Sequence, residues 1–312
     1  DKSWGERRGI SDELGQPNIF NRGLRAFGFM FYGVFRERLY TKLVRMESHL
    51  INKIFEAGDA AAVAKIGFSE LKAIDSYMQK TSLSEGDLHD IFVVAGVFPP
   101  TDNSLSRFCE VYLESMPNID VYARWLDERE KNLILSVSPE SSAVNLRDLE
   151  PYYWDSPWTK HLKDRNVLVV SPFASSIESQ YKNRKGLWSD RDLLPDFNLE
   201  TIRCPLSWYI SPNGLETWED GLEDLKDKMN SKVFDACLIG AGAWSLPLTA
   251  YAKSLGATSI HLGGSLQILF GIKGGRWDEH DVISKFYNES WTRPSEGESP
   301  TGRFSVENGC YW

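Results

Sequence analysis

The sequence predicts an α/β fold in which a parallel sheet is flanked by helices and preceded by a helical N-terminal region. Two observations carry this prediction. In the second half of the chain, short apolar runs rich in β-branched residues alternate with stretches that have the spacing of helices. Glycines follow several of these runs, where a strand would turn into the next helix. Such alternation is typical of parallel strands whose connecting helices cover both faces of the sheet.

The elements of the first half are predicted from helical spacing and turn residues. The first 20 residues are rich in glycine and charge, which is typical of an irregular arm. From Leu39, apolar residues recur at helical spacing and predict a helix that runs to about Phe55 and ends near Gly58. The apolar run 61–66 predicts a strand, and Ser69 is a candidate N-cap for the next helix. Further along, the pattern predicts a helix at 106–116 and strands at 119–125 and 132–137.

The second half has the clearer pattern. Its predicted strands cover 166–170, 199–204, 234–239 and 258–262. Its predicted helices cover 175–184, 218–229 and 246–255. The polar segment that follows is predicted to be a loop folded over the body. The chain is thus divided into an N-terminal arm and helix (1–58), an α/β domain (59–289) and a C-terminal tail (290–312).

Composition narrows the classes of function. The 312 residues carry a net charge of −9, which argues against a nucleic-acid binder because such proteins need clustered Lys and Arg. The longest apolar run, 28–35, is too short to cross a bilayer, which takes about 20 residues. At most, it predicts peripheral membrane contact. The four cysteines lack metal-site spacing and, without a signal peptide, favour a cytoplasmic protein with reduced thiols.

The candidate ligand site lies at the carboxyl ends of the predicted strands, where open parallel sheets bind ligands. Gly240-Ala241-Gly242 begins a turn resembling a dinucleotide fingerprint, but Ser245 replaces the third glycine. An NAD enzyme also places an acid at the next strand end, and here that position carries His261. The turn is either a phosphate-binding loop or a purely structural one.

Other candidates each have a structural alternative. His261 is either a general base or phosphate ligand, or a core histidine. Lys273 and Arg276, among three glycines, either grip a diphosphate or form a solvated turn, and Trp277 can stack on a base or sugar. Glu70 opens a predicted helix, where a carboxylate also serves the helix dipole alone.

Two segments resemble motifs of a known family. Lys65–Leu71 is similar to the R-x-G-D-G-E-hydrophobic motif of the GT-D glycosyltransferases, a family first described as a domain of unknown function. Cys237–Trp244 followed by Ser259–Gly264 resembles the second, paired motif of that family. The block 240–277 and the stretch 167–181 are similar to putative bacterial surface-polysaccharide biosynthesis proteins.

The resemblance implies a Rossmann-like GT-D fold, a nucleotide-diphosphate sugar donor and a glycan acceptor. It also implies an Asp-x-Glu pair that holds Mn²⁺ or Mg²⁺, with Glu70 as the Glu. Phe68 stands at the Asp position and cannot bind a cation. Either the metal is lost, with Lys273 and Arg276 neutralising the diphosphate, or another acid such as Asp102 or Asp155 contributes.

The expected function is therefore transfer of a sugar to a hydroxyl of a glycan. The expected catalytic residues are Glu70 and His261. The expected donor-binding residues are Gly67, Ser69, Ser171, Gly240, Gly242, Trp244, Gly263, Gly264, Lys273 and Arg276. The expected acceptor-binding residues are Trp158, Gln180 and Trp277. The alternatives are a catalytically inactive scaffold of the same fold and a nucleotide-binding oxidoreductase.

Overall fold

The structure is a computed structural model that describes residues 49–312 except 126, 208–211, 213 and 306. The strands are β1 (Ala62–Ala64), β2 (Val121–Arg124), β3 (Ser142–Asn145), β4 (Asn166–Ser171), β5 (Asn198–Arg203), β6 (Ala236–Ile239) and β7 (Thr258–His261). All seven form one sheet in the order β3-β2-β1-β7-β6-β4-β5, and every neighbouring pair is parallel.

Helices connect and cover these strands. They are α1 (Leu50–Ala57), α2 (Phe68–Gln79), α3 (Glu85–His89), α4 (Asp102–Ser115), α5 (Glu128–Val137), α6 (Ala174–Lys182), α7 (Trp218–Asn230), α8 (Ser245–Ser254) and α9 (Ser265–Leu269). A π-helical turn covers Asp90–Val94. Single 3₁₀ turns cover Met116–Asn118, Leu146–Leu149, Pro151–Tyr153, Trp158–Leu162, Arg184–Gly186, Gly242–Trp244, Gly275–Trp277, Ile283–Phe286, Glu296–Glu298 and Thr301–Ser305. The predicted α/β fold, a Rossmann-like parallel sheet flanked by helices, is confirmed.

The five inner strands of the sheet are buried on both faces, whereas the edge strands β3 and β5 are partly exposed. Along β4, Leu168 and Val170 point into one core and Val167 and Val169 into the other. The first core is filled by α2, α4, α5, α7 and α8, and the second by α1, α6 and α9. The four cysteines are buried as free thiols.

The connections that follow neighbouring strands diverge at the carboxyl end of β7. After β1 and β6, the chain enters helices that pack on the first core, whereas after β7 it enters α9, which packs on the second. β7 lies between β1 and β6, so its neighbours turn away from it to the opposite face. Ligands of open α/β sheets bind where neighbouring strands diverge in this way. The region between the ends of β1 and β7 is therefore the place to look for a site.

Two local predictions were wrong and one strand was missed. Residues 132–137 belong to α5, which Asp127 caps. Leu133 and Ile134 are buried while Leu135 is exposed, so only one side of this helix faces the core. Ser69 is not an N-cap, since Gly67 holds that position without a side-chain bond. The edge strand β3 is short and half polar, so its sequence carried no apolar run.

Part of the N-terminal prediction lies outside the described residues. These parts are the arm, the apolar run 28–35 and the stretch 39–48 of the predicted helix. The helix is described from Leu50 and ends before Gly58, which has the left-handed backbone (φ 77°) that glycine tolerates. The proposed boundaries at 58 and 289 stay predictions. In the part of the chain that the structure describes, no helix is both long and apolar enough to cross a membrane.

Candidate functional site

Four expected site residues lie around one lysine at the carboxyl ends of β1 and β7. Val63 pairs with Ile260, so the two strands end side by side, with Lys65 following one and His261 ending the other. A Cβ placed on Gly263 would lie 3.0 Å from the Lys65 ammonium nitrogen and 3.8 Å from Nε2 of His261. Lys65 also interacts electrostatically with Glu70. We call Lys65, Gly67, Glu70, His261 and Gly263 the β1–β7 crevice.

Glu70 is buried and lies back across the start of its own helix. A Cβ on Gly67 would meet both carboxylate oxygens within 2.5 Å, so only glycine leaves room for this arrangement. Burial raises the pKa of the Glu70 carboxyl, opposed in part by a hydrogen bond from its own amide and by Lys65. A buried carboxylate with a raised pKa is suited to accept a proton.

His261 is buried at the end of β7 and is neutral at physiological pH. Burial and the adjacent Lys65 lower the pKa of its imidazole well below the usual value, while a contact with the Lys65 backbone opposes them. Its Nδ1 is buried and has no hydrogen-bond partner among the described residues. A neutral ring with one unused nitrogen can exchange a hydrogen bond with a ligand.

The glycine turn after β6 borders the same crevice but is partly filled by protein. A Cβ on Gly240 would meet the Gly263 carbonyl oxygen at 2.7 Å, so this glycine lets two strand ends approach each other. The Ala241 amide donates to Ser245 Oγ at 2.9 Å, and the Ala243 amide donates to the carbonyl of Ala95. Exposed Gly242, with φ 56°, is left at the edge of the turn. Packing explains Gly240 without a ligand.

The two sides of the crevice are joined by Tyr112 of α4. Its hydroxyl donates to the carbonyl of Ala243 at 2.8 Å. Burial raises the pKa of this phenol well above its usual value, and the neighbouring Glu70 raises it further. Glu70 and the glycine turn are thus within reach of one side chain, on the same edge of the sheet.

Aromatic residues of the C-terminal tail cover the far side of the β7 end. A Cβ on Gly264 would lie 3.0 Å from the Tyr311 ring and 3.2 Å from the Trp277 ring. Arg276 lies 4.9 Å from the centroid of Tyr311 and forms an ion pair with Glu307. Gly264 and Trp277 therefore belong to this packed flank, and the charge of Arg276 is already balanced.

The tail also occupies the carboxyl end of β4. The Glu298 carboxylate, 1% exposed, accepts the backbone amides of Ser175 and Ser176 at the start of α6. Trp312 packs edge-to-face on Phe173, and its indole donates to the Glu298 carbonyl. An anion from the chain itself thus holds the helix N-terminus that follows β4.

The remaining expected residues lie away from the crevice. Trp158 is buried, stacks on Phe55 and donates to the Leu149 carbonyl. Gln180 is buried towards the other end of α6, where it donates to the carbonyls of Gly271 and Ser290. These contacts account for both buried side chains by packing, and Gln180 also borders a groove at its end of α6, so the acceptor role of the two residues stays a prediction.

Trp244, Ser171 and Lys273 also have structural roles. Trp244 is buried, stacks on Trp218 and donates to its carbonyl. The Ser171 hydroxyl accepts the amide of Phe173 and shapes the turn after β4. The Lys273 ammonium lies 5.3 Å from the Tyr287 ring centroid. Ser69 is half-buried in the first turn of α2, beside the crevice.

A divalent cation does not fit the donor set of the crevice. Among the residues that the structure describes, no three His, Cys, Asp or Glu side chains form a group able to hold a metal. Neither Asp102 nor Asp155 therefore completes such a group with Glu70. Phe68 is 41% exposed at the position where the resembled motif has Asp. A hard cation takes several oxygen ligands, which these residues do not supply.

A separate groove lies at the other end of α6. It is lined by Gln180, Lys182, Asn183, Arg184, Lys185, Gly186, Glu289, Ser290 and Thr292. Arg184 there is paired with Asp196. None of the crevice residues borders this groove, so it is a different surface.

Sequence reasoning did not single out Lys65, Tyr112 or Glu298. Lys65 had a usable signal, because it is the basic residue directly after a predicted strand and begins the resembled motif. Tyr112 and Glu298 had none, because each meets its partners across more than 100 residues of chain.

Comparisons with known proteins give a single distant likeness to report. A selenomethionine-substituted structure of domain of unknown function 1792 is 13% identical, with a TM-score of 0.35, over 80% of this chain and 96% of that chain. No protein-family model and no curated protein sequence matches. The functional conclusion therefore depends on the chemistry of the β1–β7 crevice.

Proposed function

We propose that this chain is a glycosyltransferase that moves a sugar from a nucleotide-diphosphate sugar to a hydroxyl of a glycan. One observation carries the proposal: Lys65, Glu70, His261 and Gly263 meet where β1 and β7 send the chain to opposite faces of the sheet. A cation, a carboxylate with a raised pKa and a neutral imidazole suit a reaction in which an anion leaves and a proton is removed. The motif resemblance at 65–71 supports the same class.

In the proposed reaction, the acceptor hydroxyl oxygen attacks the anomeric carbon of the donor sugar. The new glycosidic bond forms as the bond from that carbon to the diphosphate breaks, and the nucleoside diphosphate leaves with the electron pair. Glu70 takes the hydroxyl proton, because burial raises the pKa of its carboxyl and so makes it a better proton acceptor than an ordinary glutamate. Nδ1 of His261 orients a donor or acceptor hydroxyl.

Two aromatic side chains beside the crevice are candidates for contact with the acceptor. Phe68 is exposed on the first turn of α2, and Trp125 is half-buried at the end of β2. The Trp125 indole donates to the Ile66 carbonyl at 2.7 Å, which fixes the ring next to the crevice. Sugar rings stack on such surfaces.

The test is calorimetric titration with UDP-, GDP-, dTDP- and CDP-sugars, followed by measurement of nucleoside diphosphate release. We expect one donor class to bind, and Glu70→Gln to keep that binding while release falls by about 100-fold or more. The matched control is Glu56→Gln on the exposed face of α1, which should leave both unchanged. Absence of binding by every donor would remove the assignment.

A second candidate, a catalytically inactive scaffold within a glycan-assembly complex, is favoured by Phe68 at the acidic position of the resembled motif. In that case a nucleotide sugar or a protein partner binds, yet no nucleoside diphosphate is released. Donor binding without release above background, in both the wild type and Glu70→Gln, would favour the scaffold.

A further inference from the structure

The position that should carry the second metal ligand is apolar in this chain and has cations beside it. The Phe68 ring lies 4.9 Å from the Lys72 ammonium and 5.6 Å from the Arg129 guanidinium. Lys72 is paired with Asp87, and Arg129 with Asp127 at 2.7 Å. Asp87 and Asp127 are thus already engaged by these two cations, and no metal-holding group of three acidic, His or Cys side chains occurs in the described part of the chain.

The carboxylate of Glu70 already interacts with the start of its own helix, which would compete with a metal ion. Its oxygens lie against the Gly67 backbone at the start of α2, and its own amide donates to it. A helix N-terminus already offers partial positive charge to this group. A divalent cation at Glu70 would have only one carboxylate and would sit beside the ammonium of Lys65.

The Lys65 ammonium places a positive charge where the ends of β1 and β7 meet. It is close to Gly263, which has a left-handed backbone (φ 61°). Because this residue is glycine, no side chain covers the Lys65 ammonium from that side. The neighbouring His261 is neutral and offers Nδ1. An ammonium on a flexible stem binds phosphate as a point charge without requiring a fixed ligand geometry.

We infer that the β1–β7 crevice neutralises the diphosphate of its ligand with the Lys65 ammonium and takes no divalent cation for this purpose. The inference rests on the proposed function for the identity of the ligand. It makes Lys65 a binding residue, and it predicts that nucleotide binding persists in a chelator.

The first experiment tests the metal alone. Electron paramagnetic resonance of 100 µM Mn²⁺ is recorded with and without excess protein, since bound Mn²⁺ loses its sharp six-line signal. We expect no loss of signal with the wild-type protein. The variant Phe68→Asp, which restores an acid at the position of the motif's Asp, is the comparison. If the wild-type protein reduces the Mn²⁺ signal as much as Phe68→Asp does, or more, the inference is overturned, independently of any activity on sugars.

The second experiment tests the lysine. Inorganic pyrophosphate and UDP are titrated calorimetrically in EDTA and again in 1 mM Mn²⁺, with wild type, Lys65→Arg, Lys65→Met and the exposed control Lys53→Met. We expect equal affinities in the two buffers, a loss of about tenfold or more in Lys65→Met, and near-normal binding by Lys65→Arg and Lys53→Met. Circular dichroism checks that each variant is folded.

The outcomes separate this inference from the proposed function. Binding that requires Mn²⁺, or that is unchanged in folded Lys65→Met, overturns the inference and leaves a glycosyltransferase possible. A different outcome is that the wild-type protein binds neither pyrophosphate nor UDP in either buffer. If GDP, dTDP and CDP then fail to bind as well, the proposed function and the role of Lys65 are both wrong.

Discussion

The Glu298 carboxylate caps α6 by accepting the Ser176 backbone amide at 3.2 Å, and it also accepts the Ser176 hydroxyl. Ser175 contributes a further amide at 2.8 Å. A residue of the C-terminal tail thus satisfies a helix start that lies more than 100 positions earlier in the chain. A protein carboxylate thus already fills this anion position after β4.

The first prediction concerns this cap. Glu298→Ala should lower the free energy of unfolding by about 2–3 kcal/mol, because hydrogen bonds to a buried charged acceptor are lost together. Urea denaturation measures the change. Glu296→Ala, two residues earlier and exposed, is the control and should change stability by about 0.5 kcal/mol or less. Equal stability of the two variants would contradict the role of the cap.

The second prediction concerns the close approach of two strand ends. Gly240→Ala should cost about 1–3 kcal/mol, since its Cβ would meet the Gly263 carbonyl oxygen at 2.7 Å and Leu266 at 3.0 Å. Gly297→Ala has nothing within 4 Å and should be nearly neutral. Thermal denaturation of both variants decides the matter, and a stable Gly240→Ala would mean that the turn has more room than the structure shows.

The third prediction concerns the pH dependence from His261. Because burial and the adjacent Lys65 hold the folded-state pKa of His261 well below its usual 6.5, the unfolded chain binds a proton that the folded protein excludes as pH falls below about 6.5. Stability should therefore fall from pH 7.5 to pH 5, and less steeply in His261→Asn. Part of the slope should remain, because burial also lowers the pKa of His161. Identical slopes in urea midpoints would contradict this.

The fourth prediction concerns the cost of burying Glu70. Its folded-state pKa is raised, so the stability that the neutral acid provides is complete below about 4.5 and is lost as pH rises through the folded value. Glu70→Gln should then be more stable than wild type at pH 7.5, by about 0.5–2 kcal/mol, with a smaller difference near pH 4. A destabilised Glu70→Gln at pH 7.5 would instead assign Glu70 to helix capping alone.

Local patterns were sufficient for most elements. The strands β4, β6 and β7 are buried on both faces, and the apolar runs of β4 and β6, each bounded by turns, made them visible in the sequence. The stretch 132–137 was wrongly predicted as a strand, because Leu-Ile-Leu is compatible with a strand or a helix. Which of these side chains is buried is decided by packing. β3 depends on its partner β2 for its ladder and has little apolar pattern of its own.

The candidate site likewise has a part that the sequence predicted and a part that only the structure decided. Glycines at strand ends and Glu70 at a helix start were visible as residue types in the sequence. Whether Trp158, Gln180 and Trp244 reach solvent or the core was not, because their partners are distant in the chain. The sequence could propose these rings and amides as contacts, and only burial could assign them to packing.

By itself the sequence determined the parallel α/β architecture, because strand and helix periodicities are properties of neighbouring residues. It also determined that Phe68 stands where a cation ligand was expected. Tertiary structure alone decided that Lys65, Glu70, His261 and Gly263 share one crevice and that Glu298 closes the start of α6. The physical reason is that strand order and the direction of each crossover are set by packing across the whole sheet, which no local pattern encodes.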